Sequence, residues 1–105
     1  MIGKEIGVEK EYKSVQIGAR KFKIEYVKSV KDGETELAGL YDCKKQTIYI
    51  NYLDQTRERI TEVLMHEIMH GVLFTMGEFK LGADEKFVSK VGAMVAQALL
   101  TMEVK

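Results

Sequence analysis

The segment His66-Glu67-Ile68-Met69-His70 lies within a long apolar run and contains both histidines of the 105-residue chain. On an α-helix, residues four apart lie one above the other, roughly 6 Å apart on the same face. Two imidazoles placed in this way can bind one Zn²⁺ through nitrogen, and the glutamate between them can reach a metal-bound water. The spacing therefore predicts a metal site on a helix, with His66 and His70 as ligands and Glu67 as the acceptor of the water's proton.

An alternative interpretation is that both histidines pack in the core, each hydrogen-bonded to a backbone carbonyl, with Glu67 in solvent. The residues around the motif are mostly apolar: Val63, Leu64, Ile68, Met69, Val72, Leu73 and Phe74. Burying two histidines and a glutamate among such side chains costs on the order of several kcal/mol without a partner, and a metal ion supplies one. We therefore favour the metal site, and with it the peptide-bond hydrolysis that this motif indicates on a helix.

Length and composition indicate one small domain covering residues 1–105. Such a chain can bury roughly two-thirds of the surface that it exposes when unfolded, which is enough for a core without disulfides. The single cysteine, Cys43, excludes an intramolecular disulfide, and residues 1–12 lack the apolar stretch of a signal peptide. No run of about 18 apolar residues predicts a membrane helix. We expect a cytoplasmic protein that does not contact a membrane.

Charge argues against a broad nucleic-acid surface, because the sixteen basic and sixteen acidic residues cancel. One local cluster is basic and consists of Lys10, Lys13, Arg20, Lys21, Lys23, Lys28 and Lys31. Acidic residues are interleaved with it, namely Glu9, Glu11, Glu25 and Asp32. We therefore interpret the cluster as a solvated face of a sheet, with an anion-binding surface as the alternative.

The first half of the chain is predicted to form strands. Residues 14–30 are rich in Val, Ile, Phe and Tyr, and apolar and charged residues alternate in the second part of this stretch. Gly18-Ala19-Arg20 is suited to turn a hairpin, and Asp32-Gly33 marks a second turn. The predicted strands are residues 15–17, 22–27, 37–41 and 47–51. The pattern before about residue 12 is too weak to assign a structure.

The second half is predicted to form two helices. The first begins near Asp54 or Thr56 and ends at Gly77, which can adopt the left-handed conformation of a helix cap. The second runs from about Asp84, a suitable N-cap, to the C-terminus. Helical spacing in the second is kept by Val88, Val91, Val95, Leu99 and Met102, while small residues at positions 92, 93, 96 and 98 allow close helix contact. The predicted fold class is α+β, a small antiparallel or mixed sheet packed on the motif helix and a C-terminal helix.

Two histidines leave the site incomplete, because a catalytic zinc ion usually has three protein ligands and one position for water. The chain has no further histidine, so a third ligand, if present, is a carboxylate or a cysteine. Glu85 can return to the histidines, because the six-residue connection before the second helix spans at most roughly 20 Å. The alternatives are Asp84 as ligand, or Glu85 as a first-turn carboxylate that faces only the helix dipole. Cys43 is interpreted as an ordinary free thiol.

Four segments follow one another along the chain: Gly39-Leu40-Tyr41-Asp42, Thr47-Ile48-Tyr49-Ile50, residues 62–70, and Asp84-Glu85-Lys86-Phe87-Val88. In this order they resemble the ImmA/IrrE-type metallopeptidases, small gluzincins found in prophages and mobile elements. The likeness covers roughly residues 20–100, and the HExxH helix is its specific part. It implies a zincin-like fold in which His66, His70 and Glu85 bind zinc and Glu67 acts as general base or acid. Where the family often has alanine after the second histidine, this chain has Gly71.

The resemblance also implies how a substrate is bound and cleaved. By similarity to zincins, the strand at residues 47–51 is expected to border the cleft and to pair with an extended peptide or protein substrate. The expected reaction is hydrolysis by a metal-activated water, with Glu67 accepting the water's proton and delivering it to the leaving amine. Tyr41, Tyr49 or Tyr52 is a candidate to stabilise the oxyanion, with a packing role as the alternative for each.

A non-enzymatic hypothesis fits the same motif. It is a zinc-stabilised protein-interaction module, in which a partner or the chain's own tail fills the open coordination position. A latent peptidase blocked by its own terminus is a related alternative. Catalysis is preferred because structural zinc sites usually have cysteine-rich ligand sets and lack the adjacent glutamate. The expected cofactor is Zn²⁺, since nitrogen and carboxylate ligands in tetrahedral ligation suit this ion.

Overall fold

The computed structural model describes residues 12–104. Within this range the elements are β1 (Ser14–Ile17), β2 (Arg20–Val27), β3 (Lys31–Asp32), β4 (Thr35–Glu36), β5 (Gly39–Asp42), β6 (Thr47–Asn51), α1 (Arg57–Thr75), α2 (Phe79–Gly82) and α3 (Glu85–Thr101). The predicted α+β class is confirmed. The unassigned segment before residue 12 lies outside the described residues, and so does Lys10 of the basic cluster.

Four strands form a mixed sheet in the order β1-β2-β6-β5. β1 is antiparallel to β2, β2 is parallel to β6, and β6 is antiparallel to β5. The two predicted turns are confirmed. Gly18 joins β1 to β2 with a φ angle of +61°, and Gly33 joins β3 to β4 with a φ angle of +62°. Glycine adopts such angles without the steric cost that a Cβ brings.

The position of β6 in the sheet corrects the sequence prediction. Residues 47–51 were expected to border the cleft and pair with substrate, but β6 is an interior strand with β2 on one side and β5 on the other. Its main-chain groups are therefore used within the sheet. Ile48 and Ile50 have no exposed surface, which is typical of an interior strand. The edge strand on this side is β5, whose short and partly polar sequence gave no sign of that role.

One face of the sheet packs against α1 and forms the core. The cluster of buried residues comprises Ile17, Phe22, Ile24, Ile48, Ile50, Ile60, Val63 and Leu64. Alternation along β2 directs Phe22 and Ile24 inward and leaves Lys21 and Lys23 exposed on the opposite face. This part of the basic cluster is therefore solvent-exposed, as predicted.

α1 begins after Thr56, whose hydroxyl accepts a hydrogen bond from the backbone N–H of Arg59 at 3.1 Å. The helix ends at Thr75, and Gly77 then adopts a φ of +80 that turns the chain. The predicted end at Gly77 is correct to within two residues, and of the two predicted starts Thr56 is the one that directly precedes the helix. The single-turn helix α2 was not predicted, because four residues are too few to show a helical period. None of the helices in residues 12–104 is long and apolar enough to cross a membrane.

α3 packs against α1 along a line of small side chains. Its buried residues are Val88, Gly92 and Ala96, which are spaced four apart. Of the residues with the predicted helical spacing, Val88 is buried and Val95 is 39% exposed, while Met102 lies just past the end of α3 and is 69% exposed. Glycine and alanine on the buried line let the two helix backbones approach closely, and this contact determines which face of α3 is covered.

Candidate metal centre

The structure brings His66, His70 and Glu85 together. The two Nε2 atoms of the histidines are 3.1 Å apart. His66 Nε2 lies 3.0 Å from Glu85 Oε2, and His70 Nε2 lies 3.0 Å from Glu85 Oε1. The histidines come from successive turns of α1 and the carboxylate comes from the first residue of α3. Two helices therefore have to pack in one specific way to form this group.

The outer nitrogens of the histidines are held by α2 and α3. His70 Nδ1 lies 2.6 Å from the carbonyl oxygen of Gly82, which can only accept, so this nitrogen carries the hydrogen. In that tautomer a neutral ring keeps a lone pair on Nε2, and this atom faces Glu85. His66 Nδ1 lies 3.3 Å from the hydroxyl of Ser89, and a hydrogen bond donated to that oxygen gives His66 the same tautomer.

The donor set of this group fits a divalent metal ion. Imidazole nitrogens and carboxylate oxygens at about 3 Å repel one another unless a proton or a metal ion lies between them, and one metal ion can satisfy all three groups at once. Burial lowers the pKa of His66, and the neighbouring Glu85 charge only partly offsets this. Two imidazoles and one carboxylate form the ligand set of several catalytic zinc sites, although the same donors also suit other transition metals.

The alternative candidates lie outside this group. Asp84 caps α3, where its Oδ1 accepts the backbone N–H of Phe87 at 3.1 Å. Cys43 is exposed in the turn after β5, and its Sγ contacts a guanidinium nitrogen of Arg20 at 3.0 Å. Of the two carboxylates that the sequence left open, Glu85 is therefore the one that faces the histidines.

Glu67 lies buried between the histidines and the sheet and is only 7% exposed. Gly39 makes room for it, since a Cβ at position 39 would lie 3.2 Å from Glu67 Cγ. Burial raises the pKa of Glu67 to about 7, with the Glu85 charge acting in the same direction and His70 and the backbone N–H of Tyr41 opposing it. A carboxyl group that titrates near neutrality can both accept and release a proton at physiological pH.

The structure favours the packing role for the three tyrosines that were candidates for the oxyanion donor. Among the described residues, Tyr41 lines the cleft at the centre, whereas Tyr49 and Tyr52 are not part of the lining. The Tyr41 ring stacks on Phe22 with the ring centres 5.2 Å apart. Burial and a hydrogen bond with Cys43 raise the pKa of Tyr41 to about 12, so its hydroxyl is directed at Cys43 and not at the histidines.

A cleft of about 620 Å³ opens at the centre, within the range of small-ligand sites. Its floor is one face of α1, with residues at four-residue intervals: Glu62, His66, His70 and Phe74. One wall is formed by residues 37–41, and the other by the α2–α3 connection with Glu85 and Ser89. Glu85 is 69% exposed, so the ion site is accessible from solvent through this cleft.

The register of β5 shows which of its main-chain groups face the cleft. The backbone N–H of Asn51 donates to the carbonyl of Ala38 at 2.8 Å, so these two residues form a hydrogen-bonded pair. In an antiparallel ladder such pairs alternate, and Leu40 therefore directs its polar groups to β6. Gly39 and Tyr41 direct theirs to the free edge, which agrees with the hydrogen bond from Tyr41 N–H to Glu67.

Two residues of the centre were missed by the sequence analysis. Ser89 lies one turn after Glu85 on the same face of α3, and this spacing is a signal that could have identified it. Gly82 acts through its carbonyl oxygen, which leaves no trace in the sequence because every residue carries one. It also lies in the short helix α2, where a loop was expected.

Comparisons of the chain with protein-family models, with curated proteins and with solved structures give no match. The likeness to ImmA/IrrE-type peptidases therefore stays a prediction from the motif. The convergence of His66, His70 and Glu85 beside a buried glutamate is the strongest indication of function among the described residues.

Proposed function

We propose that this protein is a zinc-dependent metallopeptidase with a zincin-like fold. His66, His70 and Glu85 bind the ion, and Glu67 transfers protons. The observation that carries the proposal is that these ligand atoms lie within 4.8 Å of one another in an open cleft, with Glu67 buried beside them. The expected substrates are peptides or proteins, and the expected location is the cytoplasm.

The chemistry divides between the ion and the carboxyl group. The metal, when bound, would supply the positive charge that polarises a scissile carbonyl and lowers the pKa of a bound water towards neutrality. Glu67 accepts the proton of the attacking water and delivers it to the leaving amine. In the metal-free protein burial raises the pKa of Glu67 to about 7, and the charge of a bound ion would lower it towards the range in which the carboxylate can accept a proton. The N–H of Tyr41 holds the carboxylate in one place, and the missing side chain at Gly39 leaves room for it.

β5 replaces β6 as the strand that binds substrate. The cleft follows the free edge of β5, where Gly39 offers its N–H and C=O and Tyr41 its C=O. An extended polypeptide can pair with these groups through its main chain, which gives affinity without requiring a particular sequence. The N–H of Tyr41 is used by Glu67 and is not counted among the groups for substrate.

The decisive experiment replaces Glu67 by glutamine, which keeps the shape of the side chain and removes its basicity. The zinc-loaded wild type should cleave an unfolded protein substrate, and Glu67→Gln should lower the rate at least about 100-fold, as is typical for loss of a general base. Metal analysis should show one zinc per chain in both proteins. Equal cleavage by the two proteins would contradict the role of Glu67.

One observation favours a second candidate function, a zinc-stabilised interaction module. The three ligands join α1 to α3, so a bound ion also holds the two helices together. Melting with and without a chelator, alongside the cleavage assay, separates the two hypotheses. A large rise in melting temperature with zinc and no cleavage of any unfolded substrate would favour the module. The peptidase is preferred because the module needs neither the open cleft nor a buried glutamate.

A further inference from the structure

The two ends of the cleft differ in chemistry. One turn of α1 before His66 lies Glu62, which forms an exposed ion pair with Arg59 at 2.9 Å. One turn after His70 lies Phe74, which lines the cleft as well. The cleft is therefore charged at one end of the ion site and aromatic at the other. A polypeptide that lies along it meets a different surface on each side of the reacting bond.

The aromatic end is a continuous layer of rings. The Phe74 ring stacks on His70 with the ring centres 6.0 Å apart and an interplanar angle of 15°. Phe79 of α2 stacks on Phe74 at 6.5 Å and 25°. Both distances are within the range of favourable aromatic pairs. We call the pair Phe74 and Phe79 the aromatic shelf.

The aromatic shelf is open to a ligand. Phe79 is 67% exposed, although burying such a ring in a core is favourable. Gly82 lets the Phe74 ring pack directly on the α2 backbone, since a Cβ at position 82 would lie 2.7 Å from Phe74 Cε1. Phe74 lines the cleft and Phe79 does not, so Phe79 extends the apolar surface beyond the cleft through its stacking on Phe74.

We propose that the aromatic shelf is a subsite for one large apolar side chain, preferably aromatic, of the polypeptide bound in the cleft. This inference rests on the proposed function, since it names the substrate class of the same site. Four residues of helix rise about 6 Å, so Phe74 lies about that far along the cleft from His70. An extended chain covers this distance in about two residues. The selected side chain is therefore within two positions of the scissile bond.

The test measures binding separately from cleavage. Three short peptide hydroxamates with the same backbone carry phenylalanine, leucine or glycine at the varied position, and each is titrated into the zinc-loaded protein by calorimetry. The hydroxamate group anchors all three to the metal, so their differences report the side-chain subsite alone. The wild type should bind the phenylalanine compound about tenfold or more tightly than the glycine compound. Leucine should lie between them.

Two variants change the rings of the aromatic shelf, beginning with the more exposed one. Phe79→Ser removes a ring that is two-thirds exposed and should reduce the preference for phenylalanine over glycine at least about threefold, without a change in affinity for the glycine compound. Phe74→Leu should also reduce the preference for phenylalanine over glycine. Because Phe74 is half-buried, thermal melting checks that this variant still folds. Met94→Ser is the matched control, because Met94 is 64% exposed on α3 and does not line the cleft. It should bind like the wild type.

The outcomes separate this inference from the proposed function. If the three compounds bind equally, or none binds the zinc-loaded protein, the subsite proposal is wrong. An unchanged preference in Phe79→Ser and Phe74→Leu also overturns it. If phenylalanine is preferred and both variants lose the preference, the subsite is supported even where no peptide is cleaved. In that last case the peptidase proposal fails and a peptide-binding site remains.

Discussion

Gly92 of α3 lies directly against the backbone of His66 in α1. A Cβ added at position 92 would lie 2.9 Å from the Cα of His66 and 3.0 Å from its backbone nitrogen. Backbone atoms cannot move aside as a flexible side chain can. The absence of a side chain at Gly92 therefore sets how closely the two helices approach. Since α3 also carries Glu85, this contact helps to bring the carboxylate to within 3.0 Å of both histidines.

Gly92→Ala should weaken metal binding and lower stability. Alanine gains up to about 1 kcal/mol in helix propensity, but overpacking a close contact costs about 1–3 kcal/mol. We expect a net loss of up to about 2 kcal/mol in unfolding free energy and a zinc affinity at least about tenfold lower, because Glu85 moves away from the histidines. Urea unfolding and a competitive zinc titration measure the two effects. Ala98→Leu, which adds volume on the exposed face of α3, is the control.

Substitutions of Asp84 and Glu85, the two neighbouring carboxylates at the start of α3, should have different effects: one on helix capping and the other on metal binding. Glu85→Gln should lower zinc affinity at least about tenfold and change metal-free stability little, because this side chain is mostly exposed. Asp84→Ala removes the N-cap and should cost about 0.5–2 kcal/mol of stability. Its folded form should retain zinc affinity. The reverse pattern in zinc titrations and melting curves would make Asp84 the ligand.

The motif helix and its partner could be predicted from sequence because local spacing determines them. The four-residue interval between His66 and His70 defines a helix face, and Asp84 marks the next helix start. The order of strands could not be predicted, since β6 pairs with β2 across a long separation in the chain. The hydrogen bond from His70 to the carbonyl of Gly82 could not be predicted either, because a carbonyl oxygen has no sequence signature and α2 is one turn long.

Ser89 should raise the zinc affinity of the site by orienting the His66 ring. Its hydroxyl lies 3.3 Å from His66 Nδ1 and can fix the tautomer that leaves Nε2 free for the ion. Ser89→Ala should lower zinc affinity about tenfold, at the low end of the range for residues that orient metal ligands. Ser14→Ala, on an exposed position of β1, is the control. An unchanged affinity in Ser89→Ala, measured by competitive titration, would show that this hydrogen bond does not orient His66.

Glu67 should make the stability of the metal-free protein depend on pH. Its pKa is raised from 4.5 to about 7, mainly by burial, so the folded protein holds this proton more tightly than the unfolded chain does. The stabilisation by protonated Glu67 is complete below pH 4.5 and is lost as the pH rises through 7. Glutamine cannot ionise, so Glu67→Gln should become more stable than the wild type across this interval. The lowered pKa of His66 acts in both proteins and largely cancels in the comparison.

The measurement is urea unfolding of both proteins at several pH values between 5 and 8, with a chelator present. The difference in unfolding free energy should grow with pH by on the order of 1–3 kcal/mol, since each unit of pKa shift corresponds to about 1.4 kcal/mol. Glu25→Gln, on the exposed face of β2, should show no such trend. A difference between wild type and Glu67→Gln that stays constant from pH 5 to pH 8 would mean that the folded state does not raise the pKa of Glu67. The carboxyl group would then lack the property that suits it to move protons near neutral pH.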